Sequence, residues 1–409
     1  MSRILILGGG FAGLASAMAA ARKRDELGLG PDELELTLVN RDAYHSIRVR
    51  NYEADLSQAR VELDAVLGPI GVGRIEGEIS AIDVARQQVT VLQQGGPSKL
   101  AYDRLILALG SELARPEHPE LAARVFDVDT YPAALRLTEH LHQLPTRADA
   151  PGRFTAIVVG SGATGVELAA ELPQRLQGIA AACGAESAVR VILLDRGPRL
   201  FSGMGEAART VIEEALAGLG VEILLGREIV AFTEAGVRLD SGEDLPAATV
   251  VWCAGMRASP LTAHLAFPTD ALGRLATDAY LRVQGLPHCF APGDMGWADT
   301  GDGHTTLMSC QHSRQTGRYA GHNAVCDLLG MPMLPLQLAP YVTVVDLGPA
   351  GAVYTEGWER RLVASGEAAK KTKQTINRQR IYPPLSGLRE EILAAGSIAP
   401  VQPPAIKRN

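Results

Sequence analysis

Cysteine is scarce in this 409-residue chain: there are five, none lies before Cys183, and no two stand at C-x-x-C spacing. An odd set of that kind argues against a disulfide framework and reads as reduced thiols of a cytosolic protein. Positive charge is not in excess either. The formal net charge is −7 and the pI is near 5.8, so no global field exists to neutralise phosphates, which argues against a nucleic-acid partner. Long apolar runs are missing: none approaches the roughly 20 residues that a membrane-spanning helix requires. The histidines have no metal-ligand spacing, and His304 and His312 read as polar-loop residues, so no metal is expected.

What is present is a hydrophobic share of 46% in a chain long enough for two or three well-buried domains. Ile4 to Leu7 is an apolar run bounded by glycine, as in a buried parallel strand, and Leu14 to Ala21 reads as the helix after it. Between them Gly8, Gly10 and Gly13 bracket Phe11 and Ala12 in a G-x-G-x-x-G pattern. Gly8 suits a tight turn, Gly10 lets backbone N–H groups approach a pyrophosphate, and Gly13 lets helix and strand lie close. Arg3, the apolar stretch and Ala17-Met18-Ala19 superficially resemble an export signal. The glycine pattern uses the same residues, and a cytoplasmic location is expected. The design recurs from Ala156 to Leu172, with Gly160, Gly162 and Gly165 in the same places. Two dinucleotide sites imply one bound cofactor and one nucleotide substrate.

Along the chain, Leu34 to Asn40 forms a second strand, and Asn40 stands where a carboxylate usually accepts the ribose hydroxyl. Asp42 offers a substitute. Arg41, Arg48 and Arg50 beside Tyr44 and His45 are either cations for a diphosphate or a solvated basic loop. Strands are expected at Gly73 to Ile79, Gln88 to Leu92 and Leu105 to Leu109, the last closing at Gly110, with a helix from Pro132 to Leu144. Val189 to Leu194 ends at Asp195, an acid that favours NADH over NADPH, while Arg196 and Arg199 keep NADPH open. Thr249 to Ala254 is a strand closing at Gly255, as the first one closes at Gly110. Asp294, in Ala-Pro-Gly-Asp, is either a helix cap or a ligand contact. From Lys370 to Arg380 there are five cations and no acid, which fits either a solvated helix or an anionic membrane surface. The tail from Pro383 is proline-rich and reads as irregular.

With these pieces in order, the chain resembles the two-dinucleotide-domain flavoprotein reductases, and most of all the type II NADH:quinone oxidoreductases and apoptosis-inducing-factor-like quinone reductases, including ferroptosis suppressor. The resemblance implies an α/β fold of two Rossmann-like domains, glutathione-reductase-like, with a small C-terminal α+β region. It divides the chain into a discontinuous FAD domain (1–115 and 265–330), an NAD(H) domain (116–264) and a C-terminal region (331–409), the last a candidate for homodimer or membrane-surface contact. It implies non-covalent FAD on the first fingerprint, with Asp294 at the ribitol, Arg50 at the diphosphate and backbone near Ile79 at the adenine. NADH would sit on the second, with Glu167 between nicotinamide and flavin. The family marks its quinone site with two glutamines four apart after the flavin aspartate, a place taken here by Gln311 and Gln315.

Two departures stand out. Asn40 replaces the acid, and the Phe and Pro-Leu-Leu of many quinone reductases are absent after His45. Disulfide reductases of the superfamily carry two cysteines after the second strand. None is present here, so electrons would pass from flavin directly to an acceptor, expected to be a quinone. Cys289 and Cys310 leave a sulfide:quinone reductase open. A soluble NAD(P)H-dependent reductase of a small organic acceptor, or a slow-turnover, nucleotide-responsive interaction protein, would also carry these motifs.

Overall fold

In the computed structural model, which describes residues 1–116, 119–399, 404 and 406, the first strand, Ser2–Leu7, lies at the centre of a five-stranded parallel sheet. The order is Cys289–Phe290, Arg104–Leu107, Ser2–Leu7, Leu34–Asn40, Gly73–Glu76. Leu5 pairs with Thr37 on one side and Leu105 on the other. Ile4 to Leu7 are fully buried because helices cover one face and an antiparallel sheet the other. At about 1.5–3 kcal/mol per buried aliphatic side chain, this strand alone is a large part of the unit's stability.

Helix Phe11–Glu26 crosses helix Cys310–Leu328 at very short range. A Cβ on Gly317 would collide with the Ala12 carbonyl oxygen, and one on Gly321 with that of Ser16. Ser16 Oγ donates to the carbonyls of Ala12 and Gly317, at 2.8 and 2.9 Å, and so pins the crossing.

The second parallel sheet has the order Val221–Leu225, Arg190–Asp195, Thr155–Val159, Thr249–Trp252. Helix Ala163–Ala180 follows its central strand as Phe11–Glu26 follows the first. Chain passes between the two units through an antiparallel ribbon in which Ser111–Leu113 pairs with Met256–Ala258.

The C-terminal region forms an antiparallel sheet, Val342–Asp346, Ala352–Glu356 and Arg361–Ser365, followed by helix Gly366–Thr375. Val345, Leu347 and Val353 share a core with Val166, Ala169 and Ala170 of the second fingerprint helix. The tip between its last two strands reaches both units. Trp358 stacks on His304 at 4.4 Å and donates to Asp302, while the Arg360 guanidinium lies over Phe201.

Three expectations change. His312, read as a polar-loop residue, is buried in helix Cys310–Leu328. The strand foreseen from Gly73 to Ile79 is two strands broken at Gly77, where a side chain would strike Val91 and Leu92. The tail is not wholly irregular: Arg389–Ala395 is a helix, and Ile392 and Leu393 pack among Leu14 and Met18. Its stretches at 400–403, 405 and 407–409 lie outside the described residues.

Candidate active site

Both fingerprints fold alike. Gly8 and Gly160 have φ of +101° and +103°, a conformation that side-chain-bearing residues rarely adopt. A Cβ on Gly13 would run into the Gly8 carbonyl, and one on Gly165 into that of Gly160. The middle glycines differ. A Cβ on Gly10 or Gly162 would meet no atom within 4 Å, so no protein atom closes the space beside them. Each is the N-cap of its helix, without a side-chain cap and with no acid in the first turn. Phe11 and Ala12, or Ala163, thus open helices whose positive ends are free for a phosphate.

At the tip of the neighbouring strand the two units again match. Asn40 Oδ1 accepts from Gly9 N at 2.9 Å, while its Nδ2 donates to the Asp42 and Tyr44 carbonyls. Asp195 Oδ2 accepts from Ser161 N and Oγ at 2.7 and 2.6 Å, and Oδ1 accepts from Gly197 N at 2.7 Å. Both side chains therefore hold the glycine loop in shape. His45 supports the first loop from the other side, its Nδ1 donating to the Gly9 carbonyl at 2.8 Å. Burial pushes its pKa down to about 4, so it is neutral at pH 7. Arg41 is exposed on the rim. Ile79 is buried in strand Glu78–Asp83, paired with Val91.

Gly110 and Gly255, with φ of +72° and +76°, end corresponding strands. The Gly110 carbonyl accepts from Ser259 N, and that of Gly255 from Ala114 N. The carboxyl ends of both sheets thereby meet at the crossing ribbon, where open α/β sheets bind ligands. Asp294 lies there. Its Oδ2 accepts from Ser111 Oγ at 2.7 Å and its Oδ1 from Ser313 Oγ at 3.3 Å, and burial raises its carboxyl above the usual range. Arg48 donates to Ser111 and pairs with Asp129. Arg50, expected at a diphosphate, is held by Glu53 at 2.6 Å and also donates to Tyr382 Oη.

Glu167 is 5% exposed, and Lys373, on the C-terminal helix, is 7% exposed. Lys373 Nζ lies 2.6 Å from Glu167 Oε1, which also accepts from Asp346 N at 3.0 Å. Burial pushes the Glu167 carboxyl up, and Lys373 opposes that shift. Lys370 pairs with Asp346. The run of five cations is thus not one solvated face: Lys370 and Lys373 turn inward, and Lys371 pairs with Glu367 on the surface. The inward stripe of Ala369, Thr372, Lys373 and Asn377 was readable as helical spacing. A census of charge conceals it.

Gln311 and Gln315 both bond to the segment that leads into the C-terminal sheet. Gln311 donates to the Pro340 carbonyl at 3.0 Å and accepts from Val342 N at 3.3 Å, while Gln315 accepts from Ala339 N at 2.9 Å. They clamp the segment leading into the C-terminal sheet, whose backbone polar groups would otherwise be left unpaired. The five cysteines are all free, and burial raises the thiols of Cys289 and Cys310.

Two phosphate-ready loops whose sheets meet over a buried carboxylate define a two-dinucleotide oxidoreductase. The model of the pyridine nucleotide-disulphide oxidoreductase family matches residues 2–317, and the chain belongs to that family and is an enzyme. It is 50% identical over 397 residues to an NADH dehydrogenase-like protein of Mycobacterium tuberculosis, covering 97% of this chain and 98% of that one. It is 32% identical to the demethylphylloquinone reductase NdbB of Synechocystis, over 86% of each. Among solved structures, NDH2 from Plasmodium falciparum in complex with NADH superposes with a TM-score of 0.77 over 97% of each chain, at 13% identity, a likeness of fold.

Proposed function

We propose that the chain oxidises NADH and reduces a quinone-like acceptor, with FAD on the first fingerprint and NADH on the second. The proposed units are 1–115 with 265–330 for FAD and 116–264 for NAD(H). The observation that carries this reading is the repeated loop geometry, in which Gly10 and Gly162 are open while their neighbouring glycines are closed by backbone. FAD, when bound, supplies two-electron chemistry, accepting from the nicotinamide and giving to the acceptor. The residues do the rest. Gly10 and Gly162 admit the pyrophosphates, Asp294 meets the FAD polyol, and Asp195 meets the NADH ribose.

Reducing a quinone takes two electrons and two protons. NADH brings the electrons and one proton equivalent, so one further proton must be taken up. The Glu167–Lys373 pair, dry and hydrogen-bonded, is suited to hold a proton near the acceptor. The relatives named as quinone reductases and the lack of any cysteine before Cys183 support a direct flavin-to-quinone route.

Among the described residues no helix is long and apolar enough to cross a membrane. The proposed lipid contact moves from the basic helix to the loop before Arg389, where Leu385 and Leu388 are 61% and 57% exposed, with exposed Arg378 nearby in sequence. The deciding experiment is anaerobic stopped flow: NADH should bleach the bound flavin, and a quinone should restore its colour within the turnover time. Flavin that NADH does not reduce, or that a quinone does not reoxidise, would overturn the reading.

A further inference from the structure

Buried arginines in this fold are matched to oxygen. Arg24 donates to the carbonyls of Leu34, Ile70 and Gly71, Arg50 to Glu53, and Arg274 to Asp270 and the Thr306 carbonyl. Arg318 departs from this pattern. It is 7% exposed, and among the described residues its Nε meets no hydrogen-bond partner and its charged neighbour is another cation, Arg314, one helical turn away. Arg314 is half-buried and donates to the Arg380 carbonyl at 2.7 Å. Among the described residues, the charged or titratable groups near it besides Arg318 are Cys310, Arg380 and the neutral His45.

Position on the helix shows what the pair addresses. Gly317 and Gly321 face helix Phe11–Glu26, and Gln311 and Gln315 hold residues 339–342. Arg314 and Arg318 occupy the flank between those two faces, on the side of the turn Ile376–Arg380. At the head of this flank Cys310 is within electrostatic reach of Asp294, Lys373 and Arg314, so it adjoins the candidate active site. Two guanidiniums four apart in a helix repel one another, and burying them without a counter-charge is unfavourable. Burial holds Arg318 down to about 10. A planar guanidinium fork with unused N–H groups is matched best by a two-oxygen anion.

We propose that Arg314 and Arg318 form a seat for an oxyanion, a phosphate or carboxylate group borne by the electron acceptor or by a lipid beside it. Its place beside the acceptor path rests on the function proposed above. The existence of the seat does not, because anion binding requires no turnover.

The test is thermal unfolding of the full-length, FAD-loaded protein, saturated with NAD⁺ to fill the other phosphate sites and titrated with inorganic phosphate against chloride at matched ionic strength. The wild type should show a saturable rise in Tm. Arg318→Leu should weaken the apparent phosphate affinity at least about tenfold and, without phosphate, should melt above the wild type, because an uncompensated buried charge is gone. Arg318→Lys, which keeps the charge and loses the fork, should fall between them and serves if the leucine variant does not fold. No saturable shift in the wild type, or an equal shift in the variants, would overturn the seat and mark any phosphate effect as non-specific. Two further arms identify the source. A KM advantage for a carboxylate-bearing naphthoquinone over a neutral one, lost in the variants, assigns the anion to the acceptor. A gain in binding on adding phosphatidic acid to phosphatidylcholine vesicles, lost likewise, assigns it to lipid. Phosphate binding that persists when no quinone is reduced would sink the proposed function and leave the seat standing.

Discussion

At the scale of single residues, the Glu167–Lys373 pair is the sharpest object for experiment. Removing one member of a buried ion pair strands the other, at a cost of about 3–5 kcal/mol, whereas replacing both with apolar groups is often nearly neutral. Lys373→Met should therefore destabilise the protein by that amount in urea unfolding, and Glu167→Leu with Lys373→Met should recover most of it. Additive losses would show that the two do not act as a pair. Both variants should slow quinone-dependent reoxidation more than NADH-dependent reduction. Asp195 has two tasks, since the carboxylate proposed to meet the ribose also holds Ser161 and Gly197. Asp195→Ala should thus narrow the NADH to NADPH ratio of kcat/KM and also raise KM for both nucleotides. A ratio that falls with both KM values unchanged would mean the loop keeps its shape without the acid.

Three buried histidines make the stability acid-sensitive. His45, His140 and His312 are each pushed down to about 4 by burial, with Arg147 adding to the effect at His140. Their folded values lie below the ordinary value of 6.5, so the unfolded chain binds more protons between pH 6.5 and 4. Stability is complete above about 6.5 and is lost as pH falls toward 4, by about 3 kcal/mol for each histidine. Unfolding free energies measured from pH 7 to 4.5 should fall along that slope, and His140→Gln should flatten it by about a third. A flat profile would mean that these rings are solvated.

At the scale of elements, the sequence was most readable where one periodicity served one role. Leu34–Asn40 is a strand at the expected residues, the strand expected from Gln88 to Leu92 runs Gln88–Gln93, and the expected Pro132 to Leu144 helix runs Tyr131–Gln143. Reading failed where side chains serve partners far off in the chain. Nothing near Gln311 announces that its amide will hold Pro340 and Val342, and nothing near Lys373 announces Glu167. The crossing of Phe11–Glu26 with Cys310–Leu328 was likewise hidden, because the G-x-x-x-G at Gly317 and Gly321 gains meaning only from the facing helix. Gly317→Val should force the helices apart, costing at least about 1–3 kcal/mol of overpacking strain. Flavin retention on gel filtration should fall with it, since Asp294 is tied through Ser313 to the same helix. Full retention would show that the crossing can relax.

At the scale of the whole molecule, surface and interior exchange the roles that composition suggested. The basic run turns two of its cations inward, while the proline-rich tail displays Leu385 and Leu388. Replacing both leucines with serine should reduce co-sedimentation with anionic liposomes several-fold. Lys371→Gln, at an exposed cation paired with Glu367, should change it little. The reverse result would return the contact to the helix.

The pairing of Glu167 with Lys373 also sets an order of events. The two residues are 206 apart in the chain, and at about 5–20 residues per second of synthesis the lysine follows the glutamate by roughly 10 to 40 s. In that interval Glu167 has no counter-charge, and the sheet that shares a core with its helix has not been made. A nascent chain therefore carries a lone carboxylate on the second fingerprint helix until the segment after Pro340 arrives. The pair forms late, when helix Gly366–Thr375 docks.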